Sequence, residues 1–320
     1  MTRPSAVPPP VTAVLDASSR WLPVRLGEVE DILRGQAVDD GPLGADAEAT
    51  LDAGGKRLRP MLTLLCAGEA GGDAEVRGAA AIELVHMATL VHDDVLDDAA
   101  LRRGRPTVYA ESGRGRATAV GDLLFSRAFA LLAEPRDSRA IELLAAASVS
   151  LARGELIQRQ DAYDTSISED RYLERCRLKT GALFECACRI GRDEDALGSF
   201  GAEVGLAFQL LDDVLDVSGP ASRTGKARGT DLLDGTVTLP LIDAAATDPE
   251  IRSVDLRSLD ATGAERLCDR IVATGALQRV RARALEMVAT AKRRLQRTEF
   301  DPEQRRLLDL LADGVVERYS

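Results

Sequence analysis

Residues 83–107 read ELVHMATLVHDDVLDDAALRRGRPT. The first half of this stretch is apolar at helical spacing with no period-two alternation, so it predicts a buried α-helix rather than a strand. Charge gathers only where the helix ends, first as Asp93, Asp94 and Asp97 and then as Arg102 and Arg103. The pentapeptide DDVLD of Asp93–Asp97 returns at Asp212–Asp216, again behind an apolar run, GLAFQLL. Two copies so far apart do not make a short solenoid. They mark two similar helices in the two halves of a helical bundle.

Working outward, the same helical spacing prevails from Val11 on, and the interruptions are short. Asp40-Gly41-Pro42, Gly71-Gly72, Arg102–Thr107, Glu134–Ser138, Gly191–Asp195 and Ser218–Thr230 all carry turn chemistry. Two helix starts are marked by Asp before Pro and Glu after it, at Asp248-Pro249-Glu250 and Asp301-Pro302-Glu303. Each supplies a capping acceptor, a residue with no N–H to satisfy, and an acid in the first turn. Pro4, Pro8, Pro9 and Pro10 deny residues 1–10 a regular hydrogen-bond ladder, so a disordered arm is expected there. No Ser/Gly linker or charge block divides the rest. Residues 11–320 therefore read as a single all-α domain of ten or more helices.

Composition points the same way. Of 320 residues, 45% are apolar but only 3% aromatic, which favours helix packed on helix over an aromatic-rich sandwich. With 41 basic against 52 acidic residues the net charge is -11, so nucleic acid would meet repulsion and is not expected as a partner. The five cysteines show neither a disulfide framework nor zinc-ligand spacing, even though Cys186 and Cys188 are close. They read as small buried thiols in a reducing compartment. The opening MTRPSAVPPPV lacks the apolar core of a signal peptide, and no stretch reaches about 18 uninterrupted apolar residues. A cytoplasmic chain with no stable membrane anchor is expected.

On an α-helix, residues i and i+4 share a face within about 6 Å, so Asp93 projects with Asp97 and Asp212 with Asp216. At about 100° per residue, His86 falls about 20° from Asp93, and Gln209 joins Asp212 and Asp216 in a comparable stripe. Carboxylates crowded in this way repel each other unless a cation sits among them. An oxygen-only donor set points to a hard ion, with Mg²⁺ bridging carboxylates to substrate phosphates as the expectation. A single DDxxD in an acidic chain is an ordinary solvated helix end. Two copies brought together without a cation would cost several kcal/mol of repulsion. Cations suited to a phosphate ligand recur nearby: Lys56, Arg57 and Arg59 in GGKRLRP, Arg102 and Arg103, Lys179 beside Thr180, and Lys226 after the second acidic motif. The glycines Gly54 and Gly55 let backbone approach a ligand, and the side chains supply charge-assisted donors.

With these pieces in order, the sequence resembles the trans-isoprenyl (polyprenyl) diphosphate synthase family, long-chain type. GGKRLRP, ELVHMATLVHDDVLDDAALRRGRPT, LKTGALF, FQLLDDVLDV and GKARGTDLLDGTVTLPLI carry the resemblance, across roughly residues 50–242. It implies an isoprenoid-synthase-like bundle around a central diphosphate and metal cavity. Asp93, Asp97 and Asp212, with Asp94, Asp213 and Asp216 in support, would hold several Mg²⁺ ions on the diphosphate of an allylic substrate. Neutralising that diphosphate lets the C–O bond ionise to an allylic cation. The resemblance implies contacts to the allylic diphosphate from Lys179, Thr180, Gln209, Lys226 and Arg102. It assigns isopentenyl diphosphate to Lys56, Arg59, His86 and Arg103. The isopentenyl double bond attacks the cation, and a proton leaves with the departing diphosphate. Asp93, Asp97, Lys179, Asp212 and Lys226 form the expected catalytic set, while His92 points elsewhere around its helix and reads as structural. Many members carry a lysine where this chain has Thr236, in Gly235-Thr236-Val237, so one cation is missing from the pattern. The resemblance also implies a homodimer, with a hetero-subunit arrangement as the alternative.

Product length should depend on the helix below Asp93. Thr89 lies one turn down on about the same face, and the resemblance gives the fifth residue before the motif, Ala88, a size-limiting role. Both are small, so a prenyl tail could pass at least one further turn, roughly 5.4 Å, and an all-trans product of about C30 to C50 is expected, as for a quinone side chain. Phe125 or Phe129 would offer a deeper floor, although a core role suits both better. The competing readings are a geranylgeranyl diphosphate synthase stopping at C20 and the catalytic subunit of a two-component synthase. A class I terpene cyclase fits less well, because the second DDVLD and GGKRLRP are not what a cyclase needs.

Overall fold

The computed structural model describes residues 9–37, 41, 43–102, 104–133, 138–219 and 228–317. The architecture is all-α. The first half of the chain forms α1 (Pro9–Ala17), α2 (Leu22–Ala37), α3 (Gly44–Asp52), α4 (Leu58–Ala67), α5 (Asp73–Leu96), α6 (Val108–Ala133) and α7 (Ser138–Gln160). There follow α8 (Glu169–Cys176), a π-helical turn (Arg177–Gly181), α9 (Ala182–Gly191) and α10 (Asp195–Ser218). The remainder forms α11 (Thr230–Leu233), α12 (Leu239–Thr247), α13 (Pro249–Arg252), α14 (Ala261–Ala273), α15 (Ala276–Leu295) and α16 (Pro302–Glu317). The only strands among the described residues are β1 (Leu101–Arg102) and β2 (Arg105–Pro106), an antiparallel pair between α5 and α6.

Local chemistry explains the boundaries. Asp248 accepts hydrogen bonds from the Glu250 and Ile251 N–H groups, and Asp301 from those of Glu303 and Gln304, so both Asp-Pro-Glu starts cap helices. At the N-terminus the expectation needs correcting, because α1 begins at Pro9, inside the segment read as disordered. Proline fixes φ at a helical value, and in a first turn its missing N–H has no carbonyl to meet. Residues 1–8 lie outside the described part. Gly113, at φ +79°, kinks α6, a backbone angle that side chains other than glycine's resist.

Helix α5 is buried on nearly every side, as its apolar sequence requires, and packs against α6, α4, α9 and α2. Its approach to α6 is close. A Cβ placed on Gly121 would lie 2.3 Å from His92 Nε2, so only glycine fits there. On the other side α9 touches both α5 and α10. Gly201 and Gly205 of α10 admit Phe184 of α9, and a Cβ on them would come within 2.5 Å of the Phe184 oxygen and 2.8 Å of its Cγ. Helix α9 thus spaces the two helices that carry the DDVLD motifs. The apolar core runs as one cluster from Val14 to Val315. All five cysteines are buried and unpaired, and burial pushes the Cys176 and Cys268 thiols up to about 12. No described helix is long and apolar enough to cross a membrane.

Candidate active site

The aspartates occupy the C-terminal ends of α5 and α10, where the helix dipole is already negative. Acids placed there need cations, and the fold supplies them. In both motifs the second aspartate is buried and tied to protein partners. Asp94 accepts from Arg102 of β1, at 2.8 Å from Nε and 2.7 Å from Nη2. Asp213 accepts from the Tyr172 hydroxyl at 2.6 Å and from Gln209 Nε2 at 2.8 Å. Burial pushes the Asp213 carboxyl up to about 6, against the pull of Tyr172, Gln209 and Arg175. The other four aspartates lie nearer the surface: Asp97 and Asp212 are exposed, Asp93 and Asp216 half-buried. Asp216 accepts from the Asp231 N–H of α11 at 3.3 Å.

Between the two motifs lies the π-helical turn, whose Ala182 N–H reaches back five residues to the Arg177 carbonyl. A turn widened by one residue aims neighbouring side chains at directions an α-helix would not offer. Lys179 extends to α7 and α5, where its ammonium bonds Glu155 and stands 3.8 Å from Asp93 Oδ2. Thr180 turns to α10 and donates to Gln209 Oε1 at 2.8 Å. Burial pushes the Asp93 carboxyl up to about 6; Lys179 pulls against this, while Glu155 and Asp97 reinforce it. Asp97 caps α5 and is held by Arg159 Nη2 at 2.5 Å.

The basic loop before α4 arrives from the other side. Gly54 and Arg57 both adopt left-handed backbone, at φ +74° and +50°. Arg57 is turned inward to Glu30 and the buried Glu83, 2.5 and 2.8 Å away. Arg59 lies on the Phe184 ring, its Cζ 4.6 Å from the centroid, and its Nε is buried without a hydrogen-bond partner among the described residues. Burial lowers the Arg59 guanidinium to about 10, although Glu83 supports the charged form. Lys56 and His86 are half-buried near this end. His92, as expected, turns away to α6, 3.4 Å from the Thr118 carbonyl and 3.3 Å from Asp122. Arg103 and Lys226 lie outside the described residues. Thr236 is half-buried with its N–H on the Asp231 carbonyl at 2.8 Å, and the adjoining Val237 carbonyl accepts from buried Arg175 at 2.8 Å.

Sequence reasoning did not single out Tyr172, Glu155, Arg159 or Arg175 for any role. No motif marks them, since each acts through tertiary neighbours from α7 or α8. Among the described residues, no three Asp, Glu, His or Cys side chains converge closely enough to form a metal cage. That is no obstacle to Mg²⁺, which keeps waters and takes one or two carboxylates plus substrate phosphates. The all-oxygen donors of Asp93, Asp97, Asp212 and Asp216 fit such a shared site.

Near the Asp93 level, Ala88 is wholly buried, and Thr89 is half-buried with its hydroxyl returned to the His86 carbonyl at 2.8 Å. Phe125 and Phe129 stack on α6 with centroids 6.1 Å apart, partly buried against the core.

An all-α bundle that brings two aspartate-bearing helix ends toward a lysine-bearing turn is the architecture of isoprenoid synthases. The polyprenyl synthetase family model matches residues 43–272, and the chain belongs to that family. It is accordingly a prenyl transferase of the polyprenyl diphosphate synthase kind. It is 42% identical to component 2 of the heptaprenyl diphosphate synthase of Geobacillus stearothermophilus, over 68% of this chain and 72% of that one. It is 36% identical to the geranylgeranyl pyrophosphate synthase of Geoglobus acetivorans, over 91% of this chain and 95% of that one. Among solved structures, a polyprenyl synthase of Caulobacter crescentus in complex with calcium and isoprenyl diphosphate superposes with a TM-score of 0.90. It is 34% identical, covering 99% of this chain and 100% of that one.

Proposed function

We propose that the chain adds isopentenyl diphosphate units to an allylic diphosphate, with Mg²⁺ as cofactor, to give a long all-trans polyprenyl diphosphate of about C30 to C50; the length rests on the small side chains of Ala88 and Thr89 in the turn below Asp93. The observation that carries the reading is the convergence of the two aspartate-bearing helix ends with Lys179 and Thr180 on one widened turn. Asp93, Asp97 and Asp212 would hold Mg²⁺, which would supply positive charge for the leaving diphosphate. Lys179 adds a fixed ammonium on the same side, and Arg102 orients Asp94 behind it. The calcium and isoprenyl diphosphate of the Caulobacter structure support a divalent cation in such a site.

On the isopentenyl side, Arg59 is a desolvated guanidinium with a buried donor left over, and an anionic ligand would compensate it. Lys56, His86 and Arg103 join it in this reading. The long product is supported by Ala88 and Thr89, neither of which offers a ring or an unpaired hydroxyl to stop a prenyl tail. The archaeal C20 relative is the opposing consideration. The likeness to component 2 of a heptaprenyl synthase favours a second reading, in which this chain is a catalytic subunit that works with a partner.

One experiment separates these. Purified protein receives Mg²⁺, farnesyl diphosphate, labelled isopentenyl diphosphate and detergent, and products are sized by mass spectrometry. Products of C30 or longer are expected. A stop at C20 overturns the long-chain reading, and no elongation from any allylic primer overturns the stand-alone enzyme.

A further inference from the structure

Helix α7 contributes nothing to either DDVLD motif, yet it bears on both the lysine and the first acidic cluster. Gly154 sits against the π-helical turn so tightly that a Cβ there would lie 2.5 Å from the Lys179 backbone nitrogen. The next residue, Glu155, is 16% exposed at its side chain and binds the Lys179 ammonium. One turn on, Arg159 donates to Glu155 Oε1 at 2.7 Å through Nε and to Asp97 Oδ1 at 2.5 Å through Nη2. The run Asp93–Lys179–Glu155–Arg159–Asp97 therefore alternates in charge across α5, α7 and the π-helical turn, its two acidic ends one turn apart on α5.

We propose that Glu155 is a positioning residue for Lys179, holding its ammonium beside Asp93 for the allylic diphosphate, and that Arg159 makes this tolerable by neutralising Glu155 and anchoring it to Asp97. The proposal rests on the role given to Lys179 in the proposed function. A lysine side chain is a flexible stem whose rotamers must be restricted before its charge can be aimed. A third carboxylate beside Asp93 and Asp97 would ordinarily oppose both, and the Arg159 fork removes that opposition while fixing the geometry. The requirement for glycine at position 154 has the same origin, since it sets the distance from which Glu155 reaches.

The test is a double-mutant cycle read by binding. Calorimetry with farnesyl thiodiphosphate, a diphosphate analogue that does not ionise, is run on wild type, Glu155→Ala, Lys179→Ala and the double variant. Glu155→Ala is expected to weaken binding about 10-fold and Lys179→Ala at least as much, with the double variant no weaker than Lys179→Ala, because positioning acts through the residue positioned. Glu155→Gln, which keeps a hydrogen-bond acceptor, should recover part of the loss, and in turnover Glu155→Ala should raise the KM for the allylic substrate while leaving that for isopentenyl diphosphate unchanged. Equal losses from Glu155→Ala with and without Lys179 would overturn the proposal, as would an unchanged analogue affinity in Glu155→Ala. A wild type that binds the analogue but elongates nothing would instead overturn the proposed function and leave the cycle readable. Circular dichroism of each variant keeps misfolding separate from all of these outcomes.

Discussion

Replacing Tyr172 by Phe deletes one oxygen from a fully buried position and leaves the ring in place. The hydroxyl donates at 2.6 Å to Asp213, itself 3% exposed. Burial makes Tyr172 harder to ionise, so it remains a donor throughout the accessible pH range. Above pH 7 Asp213 is ionised, and losing a hydrogen bond to a buried charge costs about 2 kcal/mol. The pH dependence supplies the sharper test. Burial raises Asp213 from 3.8 to about 6, so folding favours the protonated acid. Its contribution to stability is full below about pH 4 and is lost as pH rises through 6, a change on the order of 3 kcal/mol. Tyr172→Phe pushes the folded value higher still, because the charged form loses more than the neutral one. Its cost should therefore be about 2 kcal/mol at pH 8 and about 1 kcal/mol or less at pH 5. Urea midpoints followed by helical circular dichroism, at fixed protein concentration, measure both. An equal cost at the two pH values, or a larger one at pH 5, would refute the assignment of Tyr172 as the support of an ionised Asp213.

Arg57→Ala strips the hydrogen-bonded cation from Glu83, whose side chain is 4% exposed, and leaves it only the charge of Arg59, so it should destabilise by about 3 kcal/mol; a melting temperature within a degree of wild type contradicts this. Arg57→Lys should rescue little, since one ammonium cannot replace the fork that spans Glu30 and Glu83. Thr89→Phe puts a ring at a half-buried position whose hydroxyl bonds only back into its own helix. If the tail passes here, product lengths read by mass spectrometry fall to C20 or below, and an unchanged distribution from folded protein removes Thr89 from the tail's path.

The fold was legible because its signals are local. Apolar helical spacing, Asp-Pro-Glu starts and the repeated DDVLD each act within one or two turns, and Asp248 and Asp301 cap the helices they announce. Pro9 and Pro10 misled for the same reason: read as a run they oppose regular structure, but at the start of α1 they suit it. The residues around the site were only half legible. Spacing put six aspartates on two helices but could not show that Asp94 and Asp213 point inward, which depends on Arg102 from a hairpin and Tyr172 from α8. Gln209 was placed in line with Asp212 and Asp216, whereas its amide bridges Thr180 and Asp213. Glu155 and Arg159 look like an ordinary i,i+4 surface pair in the sequence, and only the packing of α7 on the lysine turn gives them another setting.

The widened turn at Arg177–Gly181 holds one residue more than an α-helical ladder needs. A substitution there changes one side chain and leaves the backbone path in place. Loss of a single codon would differ in kind. It would let α8 and α9 fuse into one regular helix, a locally more comfortable structure, while swinging Lys179 and Thr180 about 100° around the axis, away from Asp93 and Gln209. A lineage drifting under selection for stability alone would tend to shed that extra residue. In this chain the extra residue sets where two side chains point, at some expense to the helix that carries them.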